Sequence, residues 1–185
     1  MSNQWIYDKV NGLVKKYRSR DPDELIAQLN IHLKYMDATE SLLGMYRVIL
    51  RNRFIFLPNN VGRLRKTVLA HELGHDQLHR RESMEGATFH EIRSLQPTNR
   101  YEMEANIFAA HLLIPDEEIL RAADSPLSDG ELAANLGVDV NLLHLKIAEM
   151  VKMKLLDLDA SKLWRPHADF LKDYRPEEEL WKEAP

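Results

Sequence analysis

The sequence predicts an α+β fold: mainly helical, with a small antiparallel sheet near the N-terminus and helix-turn-helix-like helices near the C-terminus. Three observations predict it. Apolar residues recur at helical spacing before residue 30, again over 67–79, and again over 101–114. Between Ile31 and Leu57 the period shortens to two, as in half-buried strands. After Pro115 helical spacing returns, and no strand pattern follows it. With 185 residues and 44% hydrophobic side chains, the chain suits one core, or one core with a small appendage.

The elements follow in order. Trp5, Ile6, Val10, Leu13, Val14 and Tyr17 line one face of a first helix. Its other residues, with Lys9, Lys15, Lys16, Arg18 and Arg20, read as a solvated basic face. Asp21-Pro22-Asp23-Glu24 starts a second helix. Asp21 can accept from its first N–H groups, Pro22 fits the first turn, and the acids favour the positive end of the dipole. This helix runs to about Asn30. Ile31, Leu33 and Tyr35 alternate with polar residues as a strand does, and residues 44–50 and 53–57 are two more strand-like runs. Arg51-Asn52 joins those two, which suggests a hairpin. Such a sheet is expected to offer an edge to an extended peptide, though alternation does not say which strand is the edge.

Residues 81–100 show no sustained period and read as a loop flanking the site, with His90 as a surface histidine. A short helix with an acidic start spans 116–123. Ser128 and Glu131 have capping-box spacing, and Gly137 separates two apolar helical runs, as in a helix-turn-helix. The second run is poor in bases. It offers Asn141, His144 and Lys146 beside Asp139 and Glu149, so a structural or partner-contacting module is expected rather than a DNA reader. The tail from Trp164, with Phe170, Tyr174 and Trp181, is expected to be partly ordered against the body.

The chemistry lies in His71-Glu72-Leu73-Gly74-His75, inside the helical run of 67–79. Histidines four residues apart project from one helix face, one turn apart, and can bind one Zn²⁺. Glu72 points to the side, where it can take a proton from the attacking water without binding the metal. Gly74 costs about 1 kcal/mol in a helix interior relative to Ala, which signals close packing against its backbone. His79 lies one further turn along the same face and reads as a histidine favoured by the helix C-terminus, or as an accessory to the site.

A catalytic zinc needs a third protein ligand and one open position. The strongly apolar run ending at Pro115 offers Glu102 and Glu104, on different faces. Glu102 shares its face with Asn106, which can hydrogen-bond a ligating histidine, so Glu102 is the expected ligand and Glu104 the alternative.

These two motifs together resemble the ImmA/IrrE family of zinc metallo-endopeptidases. The resemblance rests on His71-Glu72-Leu73-Gly74-His75 with Leu78-His79, and on Glu102-Met103-Glu104-Ala105-Asn106-Ile107-Phe108-Ala109-Ala110 with Leu112-Leu113-Ile114-Pro115. Asp21-Pro22-Asp23-Glu24-Leu25 and Asn52-Arg53-Phe54-Ile55-Phe56-Leu57 extend it upstream. His111 departs from the acidic or polar residue expected at its place. The resemblance implies a zincin-like fold, zinc on His71, His75 and a glutamate of the second motif, and Glu72 as catalytic base. It also implies a substrate: a helix-turn-helix repressor whose cleavage relieves repression of a prophage or integrative element.

The remaining expectations follow from composition. The chain has no cysteine, which excludes disulfides, thiol catalysis and thiolate ligands. It shows no signal-peptide apolar core and no run near the roughly 20 residues of a membrane span. A cytoplasmic protein is expected. Its net charge of −4 gives no general pull toward nucleic acid, and direct DNA binding is not expected. Residues 1–125 are read as the zincin-like metallopeptidase domain, and 126–185 as a helical module and tail. The competing reading is a DNA- or protein-binding regulator with a sensory or vestigial metal site. The intact Glu72 argues against it, since a structural zinc needs no base.

Overall fold

The computed structural model describes residues 3–38, 42–84, 98–123 and 126–157. Helix α1 is Gln4–Tyr17 and α2 is Pro22–Gln28. Three strands follow, β1 His32–Met36, β2 Met45–Ile49 and β3 Asn52–Pro58. A short 3₁₀ turn, Gly62–Leu64, leads into α3, Arg65–Leu78. Then come α4 Arg80–Met84, α5 Thr98–Leu113, α6 Asp116–Ala122, α7 Asp129–Leu136 and α8 Val140–Lys152. The α+β, zincin-like class expected from the sequence is the one observed. Among the described residues no helix is long and apolar enough to cross a membrane.

Local chemistry explains the helix boundaries. The Asp21 side chain accepts from the N–H groups of Asp23 and Glu24, as the start signal requires. Ser128 and Glu131 form the full capping box, and Gly137 ends α7 at a φ of 65°, where a Cβ would be strained. Of the stretch 81–100 expected as a loop, the described residues are helical, in α4 up to Met84 and in α5 from Thr98, and 85–97 lie outside the described residues. His90 and the tail from Trp164 lie outside the described residues.

The sheet corrects two expectations. It is mixed, in the order β1-β3-β2: β1 pairs with β3 in parallel, and only β2–β3 is antiparallel. Alternation identifies a strand's buried face but carries nothing about the direction of its neighbour. The hairpin turn is Leu50-Arg51, not Arg51-Asn52. Ile49 faces Asn52, and both turn residues have positive φ, 49° and 66°, as a two-residue primed turn demands. The turn lacks the glycine that advertises such a geometry. The Asn52 side chain holds it instead, donating to the Leu50 carbonyl at 3.2 Å.

One apolar core joins the elements. Ile6, Val10, Leu25, Ile55, Leu57, Leu69, Leu73, Phe108 and Leu112 are fully or almost fully buried in it. Leu142, Leu143, Leu145 and Met150 of α8 belong to the same core, and α8 packs against α5. Lys146, read from the sequence as a base offered by the second helix, is only 1% exposed and points inward. It bonds Asp116, which also accepts from the Tyr7 hydroxyl at 2.6 Å, and its Nζ lies 3.1 Å from His111 Nδ1. Arg20, read as part of a solvated face, instead caps α5 by donating to the carbonyls of His111 and Leu112 at 2.8 and 3.2 Å.

Helix α3 is held from both sides. Asp23 takes both guanidinium arms of Arg65, at 2.6 and 2.7 Å. Further along, the buried Asp76 accepts from the Tyr46 hydroxyl at 2.8 Å, from Arg53 at 3.1 Å and from Arg80 at 3.0 Å. A carboxylate so deeply buried needs such partners. These three partners, beside the neighbouring Gln77, come from β2, β3 and α4 and fix the position of α3 against the sheet.

Candidate metal centre

Helices α3 and α5 carry the candidate site, and Gly74 sets their separation. A Cβ on Gly74 would stand 3.0 Å from Ala105 Cα and 3.1 Å from its carbonyl oxygen. The two backbones therefore nearly touch, which explains the glycine seen in the sequence. Ala105 lies one turn after Glu102 on α5, so this contact brings Glu102 up to the α3 histidines.

His71, His75 and Glu102 converge. Their ligand atoms all lie within 4.8 Å of one another, and among the described residues they are the group of this kind found. The two Nε2 atoms are 3.1 Å apart. Glu102 Oε2 lies 3.2 Å from His71 Nε2, and its Oε1 lies 3.6 Å from His75 Nε2. Ligands about 2.0–2.1 Å from a tetrahedral zinc stand roughly 3.3 Å apart. The spacing of these three donors, and their nitrogen and oxygen chemistry, fit that ion. His71 is oriented by Asn106, whose Oδ1 lies 2.8 Å from His71 Nδ1, so Nε2 faces the other donors.

Glu104 turns away from this cluster. Its Oε2 lies 2.9 Å from His79 Nε2, and its Oε1 accepts from Arg100 at 2.7 Å. His79 Nδ1 in turn lies 3.1 Å from His75 Nδ1. His111 sits apart from the site, in the Tyr7–Asp116–Lys146 cluster, and meets the Tyr7 ring edge-on at 5.2 Å.

The electrostatics follow from burial. Burial works to lower the His71 pKa, but its hydrogen bond and ion pair with Glu102, with help from Glu72 and Asn106, raise it to about 9. Burial and the nearby His71 charge push His75 well below its ordinary value. Burial also lowers His79, against the pull of Glu104. Burial pushes the Glu72 carboxyl up to about 7; His71 opposes this, Glu102 adds to it, and a backbone hydrogen bond from Tyr46 opposes it. Glu72 is only 6% exposed.

Strand β2 completes the surroundings of Glu72. A Cβ on Gly44 would lie 2.7 Å from Glu72 Oε1 and 2.5 Å from Val68 Cγ1, so only glycine leaves room for both side chains. The roles of Tyr46, Asp76 and Ala105 were not read from the sequence. Only Gly74 advertised one of them, by implying a close neighbour without saying which.

Residues 26–148 match the IrrE N-terminal-like domain of the M78 peptidases. The chain belongs to the ImmA/IrrE family. It is also similar to a protein of Bacillus phage phi105 named uncharacterized immunity region protein 2, with 35% identity over 138 residues, covering 74% of this chain and 85% of the phage protein. Membership of a peptidase family agrees with the histidine and glutamate cluster. In this ImmA/IrrE chain the matched stretch contains the whole of α3 and α5, and so every residue of the cluster.

Proposed function

We propose that this chain is a cytoplasmic zinc-dependent endopeptidase that cleaves a helix-turn-helix transcriptional repressor, relieving repression of a prophage or other mobile element. The observation that carries the hydrolytic reading is Glu72. It is a buried carboxylate, one residue from His71 and flanking the His71–His75–Glu102 donors without joining them. A carboxylate held in that place can take a proton from a water at the donors and return it. The choice of substrate is supported by the family and by the name of the phage relative, which places that protein in an immunity region.

His71, His75 and Glu102 would hold the zinc, with Asn106 fixing the His71 ring. Zinc bound there supplies a Lewis acid that polarises the scissile carbonyl and makes water a better acid. Glu72 takes the proton from the attacking water and delivers it to the departing amine nitrogen. Strand β2 is the sheet edge beside Glu72, since β3 occupies its other side. An extended substrate segment adding to β2 would run past the base. The Tyr46 N–H that Glu72 accepts at rest would then pass to the substrate backbone, freeing the carboxylate for the reaction.

The competing regulator reading draws on α7 and α8. The inward-facing Lys146 weakens it, because a recognition helix needs its bases at the surface. The test is to incubate the zinc-loaded chain with the helix-turn-helix repressor encoded beside it and to follow the products by mass spectrometry. Two fragments from a single cut are expected, with unrelated folded proteins left intact. An uncut repressor in the presence of folded, zinc-loaded chain would overturn the proposal.

A further inference from the structure

His79 and Glu104 were two loose ends of the sequence: a third histidine on the α3 face, and an acid beside the expected ligand. The structure joins them in a line that begins at His75. His75 Nδ1 faces His79 Nδ1 at 3.1 Å, His79 Nε2 faces Glu104 Oε2 at 2.9 Å, and Arg100 Nε donates to Glu104 Oε1 at 2.7 Å. His75, His79 and Glu104 are 1%, 2% and 7% exposed, so water does not substitute for these bonds. The Tyr101 ring meets His79 edge-on at 4.8 Å and holds its plane.

We infer that His79 and Glu104 are positioning residues that fix the tautomer of His75 in which it can bind a metal. The inference rests on the metal-centre reading above. Two facing ring nitrogens share one hydrogen, and the far end of the line decides which of them carries it. Glu104, held by Arg100, accepts only. His79 Nε2 must therefore be the donor to it, which leaves His79 Nδ1 as an acceptor in the neutral ring. His79 Nδ1 can accept only if His75 carries its hydrogen on Nδ1. His75 Nε2 then presents a bare lone pair toward His71 and Glu102. The opposite tautomer places a hydrogen on His75 Nε2 and excludes a cation. A carboxylate two bonds removed thus selects the ligand form, as a directly bound carboxylate does at other metal histidines. On His71 the Asn106 carbonyl oxygen faces Nδ1 and would keep the hydrogen there when a metal takes Nε2.

Glu104→Gln tests this with little change of shape. An amide can donate to His79 Nε2 as well as accept from it, so the direction of the line is lost. His79→Phe keeps a ring and removes the acceptor. Zinc affinity is measured by chelator competition on the full-length wild type and both variants. In parallel, ¹⁵N chemical shifts of the histidine rings are read in the metal-free wild type, where no metal dictates the tautomer. The inference predicts affinity lower by about tenfold or more in both variants, and a protonated His75 Nδ1 in the wild type. Wild-type affinity in a folded Glu104→Gln protein would overturn it, and so would a protonated His75 Nε2. The nitrogen shifts need no variant and decide the matter even if His79→Phe fails to fold. Failure of the wild type to bind zinc at all would overturn the metal-centre reading itself and this inference with it. Zinc binding by the wild type with no effect of Glu104→Gln would overturn only the inference.

Discussion

Gly74→Ala is the substitution that asks most of the α3–α5 interface. Taken alone, helix propensity favours alanine by about 1 kcal/mol. The structure opposes that gain. The added Cβ would meet Ala105 Cα at 3.0 Å, its carbonyl oxygen at 3.1 Å and its Cβ at 3.3 Å, where ordinary contact begins at 3.4 Å. Two of the three obstacles are backbone atoms, which cannot rotate away. The helices must part by a few tenths of an ångström, and overpacking of this kind costs about 1–3 kcal/mol. The net expectation is a loss of roughly 1 kcal/mol, and a Tm lower by about 2–4 °C for a chain of this size. The functional consequence is larger. Glu102 rides on α5 one turn before Ala105, and metal–ligand distances tolerate only about 0.2 Å. Zinc affinity should fall at least tenfold, because Glu102 is carried away from His71 and His75. Chelator competition and calorimetry on the same preparations measure both effects. A Gly74→Ala protein with unchanged zinc affinity and a raised Tm would refute the reasoning, since propensity alone would then have decided the outcome.

Three further outcomes are expected. Glu102→Ala should lower zinc affinity by about 100-fold or more, beyond the loss in Glu104→Gln, because it removes a ligand rather than an orienting partner; equal losses in the two would contradict the assignment. Gly44→Ala should leave zinc bound but slow peptide cleavage, since its Cβ would displace the Glu72 carboxylate from 2.7 Å away; a wild-type rate would show that the carboxylate is free to move. The third outcome concerns acid. Burial, with Lys146 beside it, lowers the His111 pKa from 6.5 to about 3. Between those values the unfolded chain binds a proton that the folded chain refuses, so stability is present above pH 6.5 and is lost as the pH falls toward 3. His111→Gln should flatten this limb by on the order of a few kcal/mol in urea-denaturation series at successive pH values, and an unchanged slope would contradict the buried neutral histidine.

The elements that could be read in the sequence are those whose causes are local. The periodicity of α1 and α3, the Asp21 cap and the Ser128–Glu131 box act within a few residues, and the structure shows each of them. The spacing of His71 and His75 is a property of one helix. Glu102 could be preferred over Glu104 because Asn106 shares its face, and the structure places Asn106 on His71. The rest depends on how distant elements meet. The direction of β1 is set by β3 inserting beside it, and no residue of β1 encodes that. The Leu50-Arg51 turn adopts positive φ without glycine, so composition gave no sign of it. Tyr46 and Asp76 find each other across 30 residues, and His79 and Glu104 across 25. Helical spacing in α8 shows an apolar face but not that α5 covers it, so Lys146 looked available when it is buried.

The central claim is that Glu72 works on water beside a zinc held by His71, His75 and Glu102. The most direct test compares the wild type with Glu72→Gln, each analysed by native mass spectrometry and each given the same repressor. The account predicts one zinc per chain in both proteins, two repressor fragments with the wild type, and none with Glu72→Gln, because an amide cannot take the proton. Cleavage by a folded Glu72→Gln protein at the wild-type rate, or a wild type that cleaves the repressor without zinc, would contradict it.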